Sequence, residues 1–561
     1  MLPDARQLQR AGLWHTFPEA VMDEAAQLAA GELPRDEFEG EREDLRELKC
    51  YCIDDAGTGE VDDGIRYVCA SRSFLAREVN EEVCSSAPWN TPPYRWTHFD
   101  SFTLGTDRSG VHPSTSLEHL GGGRVRAWVH VADATRFLRG GPPGGGGSEA
   151  AGAMWEEAER RAATLYLPGD TVYMFPAEAS NGPMSLRAGA DCTALSVGMV
   201  FDAESGALQP DETVMVPSLV RPSYQLTYDD ADELLVMCPE EEPELAALKA
   251  LAWKRRDLRR SKGALPLVQA GADVEVQGNF FYDESAGEAL ALDVRARALG
   301  LGACASRDVV AELMIAAGEA AALWAHDAGV PVPYRAQLPP REKESAGGGR
   351  GGRGRGRGGR GGKRRGKGGG GGNAITVAND SLLQSGLAPE VVAYRMRPSL
   401  MRGRIFTDAP RSHSGLGLPG YTQVTSPIRR YADCLAHAQI KAAVAGRAPP
   451  FAEGALNDVC QAIAEQHREM QRLQRTTERY FVLEHLRQEG PERVYDALIL
   501  GAARRTGGGG RVKPAWVLLE ELGIEVPLMP NAVNTPAGAC VPVRVGESRP
   551  KDGELTLEDA G

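Results

Sequence analysis

Alternating apolar and polar positions predict several β-strands along the chain. The segment LKCYCID (48–54) alternates in this way, and so does the longer segment RVRAWVHVADATRF (124–137). In the longer segment, Trp128 and His130 would face one side of a sheet and Val129 the other, because successive side chains of a strand point to opposite faces. The two segments therefore predict strands of one partly buried sheet.

Helical periodicity alternates with these strands. The segment SRDVVAELMIAAGEAAALWAHDAG (306–329) repeats apolar residues every three or four positions, with Ser306 as a predicted N-cap and Gly329 at its end. The segment SYQLTYDDADELLVM (223–237) is typical of a strand that leads into a helix. Strands and helices interleaved in this way predict a mixed α/β fold.

The pattern divides the 561 residues into three predicted parts, as expected for a chain longer than one ordinary core. Residues 1–44 read as a polar helical lead, the remnant of a longer domain, and residues 45–485 as a large α/β domain. After residue 490, short strands with Gly-rich turns predict an incomplete OB-like barrel: RVYDALILG, AWVLLEEL, GIEVPLM and ACVPVRV. Two stretches without sustained periodicity, 66–115 and 339–373, are predicted inserts.

Composition and charge narrow the function classes. No run of eighteen apolar residues exists, so no membrane span is predicted, and the N-terminal residues lack both an apolar signal core and typical transit-peptide composition. Ten scattered cysteines without a CxxC pair argue against zinc and secretion and favour a reducing compartment. The net charge of −14 argues against a nucleic-acid partner, but nine Lys and Arg with no acid lie in the tract GGGRGGRGRGRGGRGGKRRGKGGGGG. Any nucleic-acid groove must therefore be local.

The stretch YCIDDAGTGEVDDGI (51–65) places five carboxylates within ten residues. A solvated acidic turn is the simplest interpretation. An EF-hand loop starting at Asp54 fails, because Ala56 and Ile65 would stand at its third and twelfth positions. A magnesium site is the third interpretation, since Mg²⁺ takes a few carboxylates and completes its shell with water and phosphate. Two such ions, about 4 Å apart, support phosphodiester cleavage.

The segment YTQVTSPIRRYADCLAHAQIKA (421–442) predicts a helix capped by Thr425 or Ser426, with Pro427 in its first turn. Two arginines would then lie in that turn, where the helix dipole disfavours cations. An Arg429–Asp433 pair, worth a few tenths of a kcal/mol, is one explanation. A phosphate held by the helix N-terminus and two guanidinium groups is the other, and the pattern favours it.

These segments resemble the ribonuclease II (RNB) family of exoribonucleases. The arginine segment is similar to the hallmark motif of the family, and REDLRELKCYCIDDAGTGEVDDGI (42–65) is similar to its catalytic acidic motif. Other family-like segments follow in the family's order: RVRAWVHVADATRF, RRAATLYLPGDTVYMFP, MSLRAGADCTALSVGMVF, YQLTYDDADELL, RRDLRRSKGAL and VVAELMIAAGEAAA. The resemblance spans residues 41–480 outside the inserts and is strongest to the organellar and cyanobacterial branch.

The resemblance implies an RNB-type catalytic domain, a mixed sheet around a deep RNA channel, followed by the degenerate OB-like barrel. It implies a Mg²⁺-dependent, processive 3′-to-5′ exoribonuclease that releases nucleoside 5′-monophosphates from single-stranded RNA in RNA turnover and processing. A catalytically inactive RNA-binding or scaffold protein on the same fold is the alternative, and a DNA-directed nuclease is a third. We expect a monomer without a membrane partner, in a chloroplast or mitochondrion or else in the cytoplasm. The Gly/Arg tract (346–373) either captures RNA electrostatically or is a compositional expansion.

Carried over by motif, the resemblance assigns the metal ligands to Asp54, Glu60, Asp62 and Asp63. Many members of the family have Asp where Glu60 stands, and the longer side chain keeps the oxygen ligands. Arg429 matches the arginine that contacts the scissile phosphate, with Arg430 beside it. In the family the acidic motif soon leads into the VHVAD strand, whereas here about fifty residues intervene. This insert begins beside Asp63, where it could disturb the metal site.

The resemblance also implies the contacts that hold RNA. Tyr228 matches the aromatic residue that orients the 3′-terminal nucleotide, and Tyr166 matches one that stacks on a base further along and sets the size of the final product. Glu312 matches a contact to a ribose hydroxyl, and Glu478 matches, less closely, a residue near the leaving nucleotide. Each also has a simpler interpretation, because a tyrosine in an apolar strand is usually core and Glu312 could solvate a helix.

Overall fold

The computed structural model describes residues 16–54, 63–68, 120, 122–146, 150–237, 242–265, 271–277, 293–298, 305–338, 385–397, 401–502, 504–505, 512–528 and 535–560. Glu60, Asp62, most of the first predicted insert and the Gly/Arg tract lie outside these residues.

The helices of the described part are α1 (Glu19–Ala29), α2 (Ala153–Arg161), α3 (Ala177–Ser180), α4 (Tyr228–Met237), α5 (Pro243–Ser261), α6 (Ala305–Asp327), α7 (Pro389–Met396), α8 (Tyr431–Val444) and α9 (Glu453–Glu489). The strands are β1 (Glu43–Asp44), β2 (Tyr51–Asp54), β3 (Asp63–Val68), β4 (Arg124–Ala132), β5 (Leu165–Leu167), β6 (Asp170–Val172), β7 (Cys192–Asp202), β8 (Val214–Val220), β9 (Tyr224–Thr227), β10 (Ala272–Gln277), β11 (Asp293–Ala298), β12 (Tyr334–Ala336), β13 (Arg404–Phe406), β14 (Val494–Gly501), β15 (Arg504–Arg505), β16 (Val512–Lys513), β17 (Ala515–Leu519), β18 (Ile524–Leu528), β19 (Cys540–Arg549) and β20 (Glu554–Asp559).

Seven strands form a mixed central sheet in the order β1-β8-β7-β4-β3-β2-β9. β4 lies in its middle and pairs antiparallel with β3 and β7, whereas the outer pairs β1–β8 and β2–β9 are parallel. The predicted alternation in β4 is confirmed: Trp128 packs in one hydrophobic cluster and Val129 in another. The regular strand ends at Ala132, and residues 134–137 form a short 3-10 helix instead of continuing it.

Helices cover both faces of this sheet, which explains why its central strands are apolar on both sides. On one face, α5 and α6 contribute buried side chains such as Leu248 and Leu313. On the other face, α1, α2 and the first half of α9 contribute Val21, Trp155 and Leu456. Complete burial of a side chain of this size stabilises the fold by about 1.5–3 kcal/mol. Because α1 is part of this core, the described portion of the predicted polar lead packs against the large domain.

Helix α6 confirms the helix predicted for 306–329. Ser306 is its second residue rather than its cap, because its Oγ donates to the Tyr228 carbonyl oxygen (3.0 Å) and its N–H donates to the Asp232 carboxylate (2.8 Å). By length and composition α6 is the one helix of the described part that could cross a membrane. However, 67% of its apolar window is buried inside the protein, which is typical of a core helix.

The C-terminal strands form a nearly closed five-stranded barrel in the order β18-β17-β14-β19-β20. The four predicted strands are all present, and the sequence pattern missed β20, in which Leu555 and Leu557 alternate with polar residues. The end of α9 packs into the barrel core through Leu483 and Leu486, and α7 covers the other face of β14 through Val391. The 37-residue helix α9 therefore runs from the large core into the barrel.

Candidate active site

Three of the predicted site residues meet at one end of the central sheet. Asp54 is the last residue of β2 and stands in register with Thr227, the last residue of β9, so that Tyr228 follows immediately at the start of α4. Asp63 is the first residue of β3, the strand next to β2. Asp63 pairs with Val131 of β4, at the same end of the sheet as Asp54. Neighbouring strands lie about 4.8 Å apart, so the backbones of Asp54 and Asp63 are close.

Aspartate at the ends of two adjacent strands is the residue type that Mg²⁺ takes as an oxygen ligand. The connection between β2 and β3 starts and ends at the same end of the sheet, because the two strands are adjacent and antiparallel. Glu60 and Asp62 belong to this connection, and the chain tethers them within three residues of Asp63. In the part of the chain that the structure describes, no group of three or more His, Cys, Asp or Glu side chains could hold a metal. The four-carboxylate ligand set therefore remains a prediction.

The predicted start of the arginine helix is wrong. Helix α8 begins at Tyr431, with Arg430 as an extended N-cap residue (φ −142°, ψ 119°), and residues 427–429 form a turn. Neither Thr425 nor Ser426 caps the helix. The two arginines therefore precede α8 instead of lying in its first turn. The unfavourable interaction expected between the helix dipole and cations inside the first turn does not arise.

A β-bridge to a distant segment explains this later start. The Tyr431 N–H donates to the Ala162 carbonyl oxygen (2.9 Å), and the Thr164 N–H donates to the Arg429 carbonyl oxygen (3.1 Å). These bonds hold Arg430 extended between the turn and the helix, which a local sequence pattern cannot reveal. Ala162 has a left-handed φ of 64°, and it is the one non-glycine residue of the described part with a positive φ. The bridge places both arginines beside the segment that leads to Tyr166 on β5.

The first explanation offered for the arginines, an Arg429–Asp433 pair, is also wrong. Asp433 is fully buried and pairs with Arg430, at 2.8 Å between Nη2 and Oδ2. The same carboxylate oxygen accepts the Ser426 N–H at 2.9 Å. Asp433 therefore orients the Arg430 guanidinium and fixes the turn that carries Arg429, which is itself half-buried.

Two further basic side chains, Arg335 and His467, lie near Arg430, and the sequence pattern does not identify either of them. Arg335 on β12 donates from Nη1 to the Gln423 side-chain oxygen (2.9 Å), and its N–H donates to the Tyr421 carbonyl oxygen (2.8 Å). The pKa of Arg335 is lowered, mainly by burial and also by repulsion from Arg430. The pKa of His467 on α9 is lowered in the same way, mainly by burial and also by repulsion from Arg335 and Arg430. Cations held this close favour a bound anion. Arg335 stands between proline-rich segments with no periodic pattern, so no sequence signal marks it.

A buried imidazole lies next to these cations. His413 makes an edge-to-face contact with Tyr421, with 5.9 Å between ring centroids. Burial, and then the charge of Arg335, lower the pKa of His413 to about 4. Its ring is therefore neutral near pH 7 and adds no positive charge to the cluster.

The two predicted aromatic contacts occupy different environments. Tyr166 is 43% exposed, so it is not a core residue, and its strand β5 packs against α9 through Leu165. Tyr228 is half-buried, and the Arg307 guanidinium lies over its ring at 4.1 Å from the centroid. An exposed ring can stack on a base, whereas a ring held by a guanidinium has a fixed orientation.

The two predicted glutamate contacts are both at least partly buried. Glu312 is 1% exposed, and the Arg259 guanidinium binds both of its oxygens, with 2.8 Å between Nε and Oε2. The interpretation of Glu312 as a solvated helix residue is therefore wrong. Arg259 also donates to the Leu416 carbonyl oxygen (2.8 Å), beside the His413 turn. Glu478 on α9 accepts a hydrogen bond from the Gln474 amide (2.8 Å), and burial raises the pKa of Glu478.

Buried ion pairs anchor α8 at this end of the sheet. Asp133, directly after β4, accepts Lys441 Nζ at 2.9 Å and Arg42 Nη2 at 2.9 Å, and all three side chains are almost completely buried. Although burial alone would raise it, Lys441 and then Arg42 hold the pKa of Asp133 far below its usual range. Lys441 also pairs with Glu37 at 2.9 Å. The network fixes α8, and with it the turn that carries Arg429, relative to β4.

A known protein family matches the part of the chain that carries most of these site residues. The family model described as "RNB domain" matches residues 104–446, more than half of the chain. The match contains both arginines, Tyr166, Tyr228 and Glu312, and it begins after the segment that carries Asp54 and Asp63.

Similar proteins support this match. The chain is 31% identical over 526 residues to an uncharacterized ribonuclease of Synechocystis, covering 93% of this chain and 60% of that protein. It is 29% identical to the chloroplastic/mitochondrial ribonuclease II of Arabidopsis thaliana, covering 82% of this chain and 50% of that protein. The chain thus spans about half to three-fifths of the length of these relatives.

Solved structures show the same fold at low identity. The Dss1 exoribonuclease of Candida glabrata superposes with a TM-score of 0.64 at 17% identity, covering 98% of this chain and 58% of that one. Yeast Ssd1, a pseudonuclease, superposes with a TM-score of 0.54 at 15% identity, covering 88% of this chain and 51% of that one. The matched residues, the ribonuclease relatives and the shared fold agree, and the chain belongs to the RNB-domain family.

Proposed function

We propose that this chain is a Mg²⁺-dependent 3′-to-5′ exoribonuclease that processively degrades single-stranded RNA to nucleoside 5′-monophosphates. One observation supports the proposal most strongly. Asp54 and Asp63 lie on adjacent strands at one end of the sheet. At the same end, Asp133 binds Lys441 of helix α8, the helix that directly follows Arg429 and Arg430. Carboxylates hold divalent cations and guanidinium groups hold phosphate. Metal-assisted hydrolysis of a phosphodiester uses both groups when they lie at one place, and the ribonuclease relatives support this interpretation.

Each residue then has a specific task in hydrolysis. The ligands for Mg²⁺ would be Asp54, Glu60, Asp62 and Asp63. The bound ions supply an activated water and charge stabilisation for the leaving oxygen. Arg429 neutralises the scissile phosphate, and Arg430 supports it from a position fixed by Asp433. Cleavage breaks the bond between phosphorus and the 3′ oxygen of the preceding nucleotide, so the terminal residue leaves as a 5′-monophosphate.

Recognition of RNA would rest on stacking, charge and the 2′-hydroxyl group. Tyr228 orients the 3′-terminal nucleotide, while Glu478 lies near the leaving nucleotide and Tyr166 stacks on a base further along. Stacking and backbone charge tolerate every sequence, as a processive exonuclease requires. Glu312 is the proposed reader of a ribose hydroxyl, because each of its oxygens keeps a lone pair beyond the bond to Arg259.

A catalytically inactive RNA-binding protein is the competing proposal. The similarity to a pseudonuclease gives it weight, because one fold carries active and inactive proteins. The carboxylates of the acidic segment, in the same chain as Arg429, favour the enzyme, since acidic side chains repel the phosphates of an RNA that is only bound. The family branch of the relatives favours a chloroplast or mitochondrion, and we propose a monomeric enzyme there.

The enzymatic proposal predicts that the wild-type protein shortens 5′-labelled oligo(A) from its 3′ end in Mg²⁺ and leaves it intact in EDTA. The products would be AMP and one short labelled limit product, and a matched oligo(dA) would persist because the 2′-hydroxyl contact is missing. Binding of oligo(A) without any shortening in Mg²⁺ would support the inactive RNA-binding protein instead. Equal degradation of oligo(dA) would identify a nuclease without preference for RNA.

A Tyr166→Ala variant should still cleave RNA but release a longer limit product. Stacking of a base on an aromatic ring contributes about 1–3 kcal/mol, so the variant would dissociate from short RNA before the last steps. The free energy of unfolding should change by less than about 0.5 kcal/mol, because the ring is 43% exposed. Denaturing gels of 5′-labelled oligo(A) measure the product length. Trp516→Ala is the control, since Trp516 is 40% exposed on the barrel, and an unchanged product in Tyr166→Ala would contradict the assignment.

A further inference from the structure

Helix α9 carries a row of arginine side chains along its solvent face. Arg468, Arg472 and Arg475 are exposed, and Arg479 continues the row as a half-buried residue. Spacings of four, three and four positions keep these side chains on one face of a helix, over a length of about 16 Å. Met470 is among the buried residues on the opposite face, which packs against the core.

These arginines have few partners of opposite charge. Arg468 lies 3.9 Å from Glu465, but both side chains are mostly exposed and such a pair contributes little. Among the described residues, neither Arg472 nor Arg475 forms an ion pair. Arg479 donates from Nε to the Gly553 carbonyl oxygen of the barrel at 2.9 Å. Three like charges thus stay together in a chain whose net charge is −14, an arrangement that favours a polyanionic partner.

The row lies next to the face of α9 that borders the candidate active site. His467 interacts with Arg335 and Arg430, and Glu478 is half-buried on the same side. One residue of an α-helix turns the side chain by about 100°, so Arg468 projects slightly more than a quarter turn away from His467. RNA that extends out of the site along α9 would therefore pass over the arginine row.

We propose that the arginine row formed by Arg468, Arg472 and Arg475 binds the phosphate backbone of the RNA segment that lies outside the active site. This inference rests on the proposed function, because the partner is another part of the same substrate. Guanidinium groups bind phosphate oxygens with paired hydrogen bonds, and these three arginines lie along about 10 Å of the helix. The row then adds affinity for long RNA and contributes nothing to the cleavage step itself.

The test compares the triple variant R468Q/R472Q/R475Q with the triple control R46Q/R221Q/R487Q. Each control arginine is at least one-third exposed and paired with a carboxylate, so both variants lose the same charge. Cleavage of 5′-labelled oligo(A) of about 8 and about 30 nucleotides gives kcat and KM in Mg²⁺. Fluorescence anisotropy in EDTA over a KCl series gives affinity without cleavage.

The row variant should lose about tenfold in affinity and in kcat/KM for the long RNA, with kcat and the short RNA unchanged. The slope of log affinity against log salt should fall in magnitude by about 2, since each phosphate contact on a single strand contributes about 0.7. The control variant should match the wild type in every measurement, and thermal melting should show unchanged stability for both.

The outcomes separate this inference from the proposed function. If the wild type cleaves RNA and the row variant matches it on long RNA, the inference fails and the proposed function stands. Equal losses on short and long RNA would also overturn the inference. If the wild type cleaves neither RNA, but only the row variant loses binding to long RNA in EDTA, the proposed function fails and the RNA-binding row stands. Binding of polyglutamate lost in the row variant, with RNA binding intact, would identify a protein-docking surface and overturn the inference.

Discussion

An Asp54→Asn variant should lose at least about 1000-fold of the cleavage rate on oligo(A) while it retains RNA binding. Such a loss corresponds to about 4 kcal/mol of transition-state stabilisation. Asparagine keeps the size of the side chain and one oxygen ligand, but it removes the charge that attracts Mg²⁺. Because Asp54 ends β2 in register with Thr227, its replacement leaves the sheet pairing intact. Single-turnover cleavage of 5′-labelled oligo(A) measures the rate, and anisotropy in EDTA measures binding.

Two further variants show whether this loss is specific to the acidic segment. Asp191→Asn is the matched control, because Asp191 lies beside the first residue of β7 at the same end of the sheet, is exposed and pairs with Arg46 and Arg221. It should cleave RNA at the wild-type rate. Asp62→Asn should lose activity as Asp54→Asn does, because both belong to the proposed ligand set for Mg²⁺. Near-normal cleavage by Asp54→Asn at saturating Mg²⁺ would remove Asp54 from the active site.

The sequence predicts correctly those elements in which buried and exposed residues follow a regular period along the chain. In β4, Trp128 and Val129 lie on opposite faces of a sheet covered on both sides, so alternation alone identifies the strand. Helix α6 is buried along most of its length, and its periodicity gives its bounds to within two residues. The acidic segment could be singled out because like charges crowd into ten residues without any local compensation.

The incorrect predictions fall where distant segments decide the local structure. The start of α8 is set by backbone bonds from Ala162 and Thr164, more than 250 residues earlier in the chain. Asp433 pairs with Arg430 because that bridge turns the chain before the helix begins. Arg335 joins the cation cluster through a short strand with no periodic signal, and only the folded chain shows its neighbours. Tertiary contacts therefore determine most of the detail around the candidate active site.

A Lys441→Met variant should lower the free energy of unfolding by about 3 kcal/mol. Lys441 and Asp133 are buried, and removing one member of a buried ion pair leaves the other charge poorly compensated, at a cost of about 3–5 kcal/mol. Arg42 still pairs with Asp133, which places the expected loss at the lower end. Arg447→Met is the matched control, because Arg447 pairs with Glu37 at the same place but is 53% exposed, and it should cost at most about 1 kcal/mol.

Asp133→Asn should cost less in the Lys441→Met background than in the wild type, because only Arg42, which also pairs with Asp36, then loses a partner. The pH dependence gives an independent measurement. Asp133 has a depressed pKa in the folded protein, so its contribution is fully present above its ordinary pKa of 3.8 and is lost as the pH falls below that value. Urea unfolding at a series of pH values should therefore show a wild-type advantage over Lys441→Met that is constant near pH 7 and shrinks in acid. The cleavage rate of Lys441→Met should also fall, because α8 no longer holds the Arg429 turn firmly against β4. If Lys441→Met and Arg447→Met unfold at the same urea concentration, the buried network does not anchor α8. The position of the arginines must then be fixed by Asp433 and by the bridge to Ala162 and Thr164.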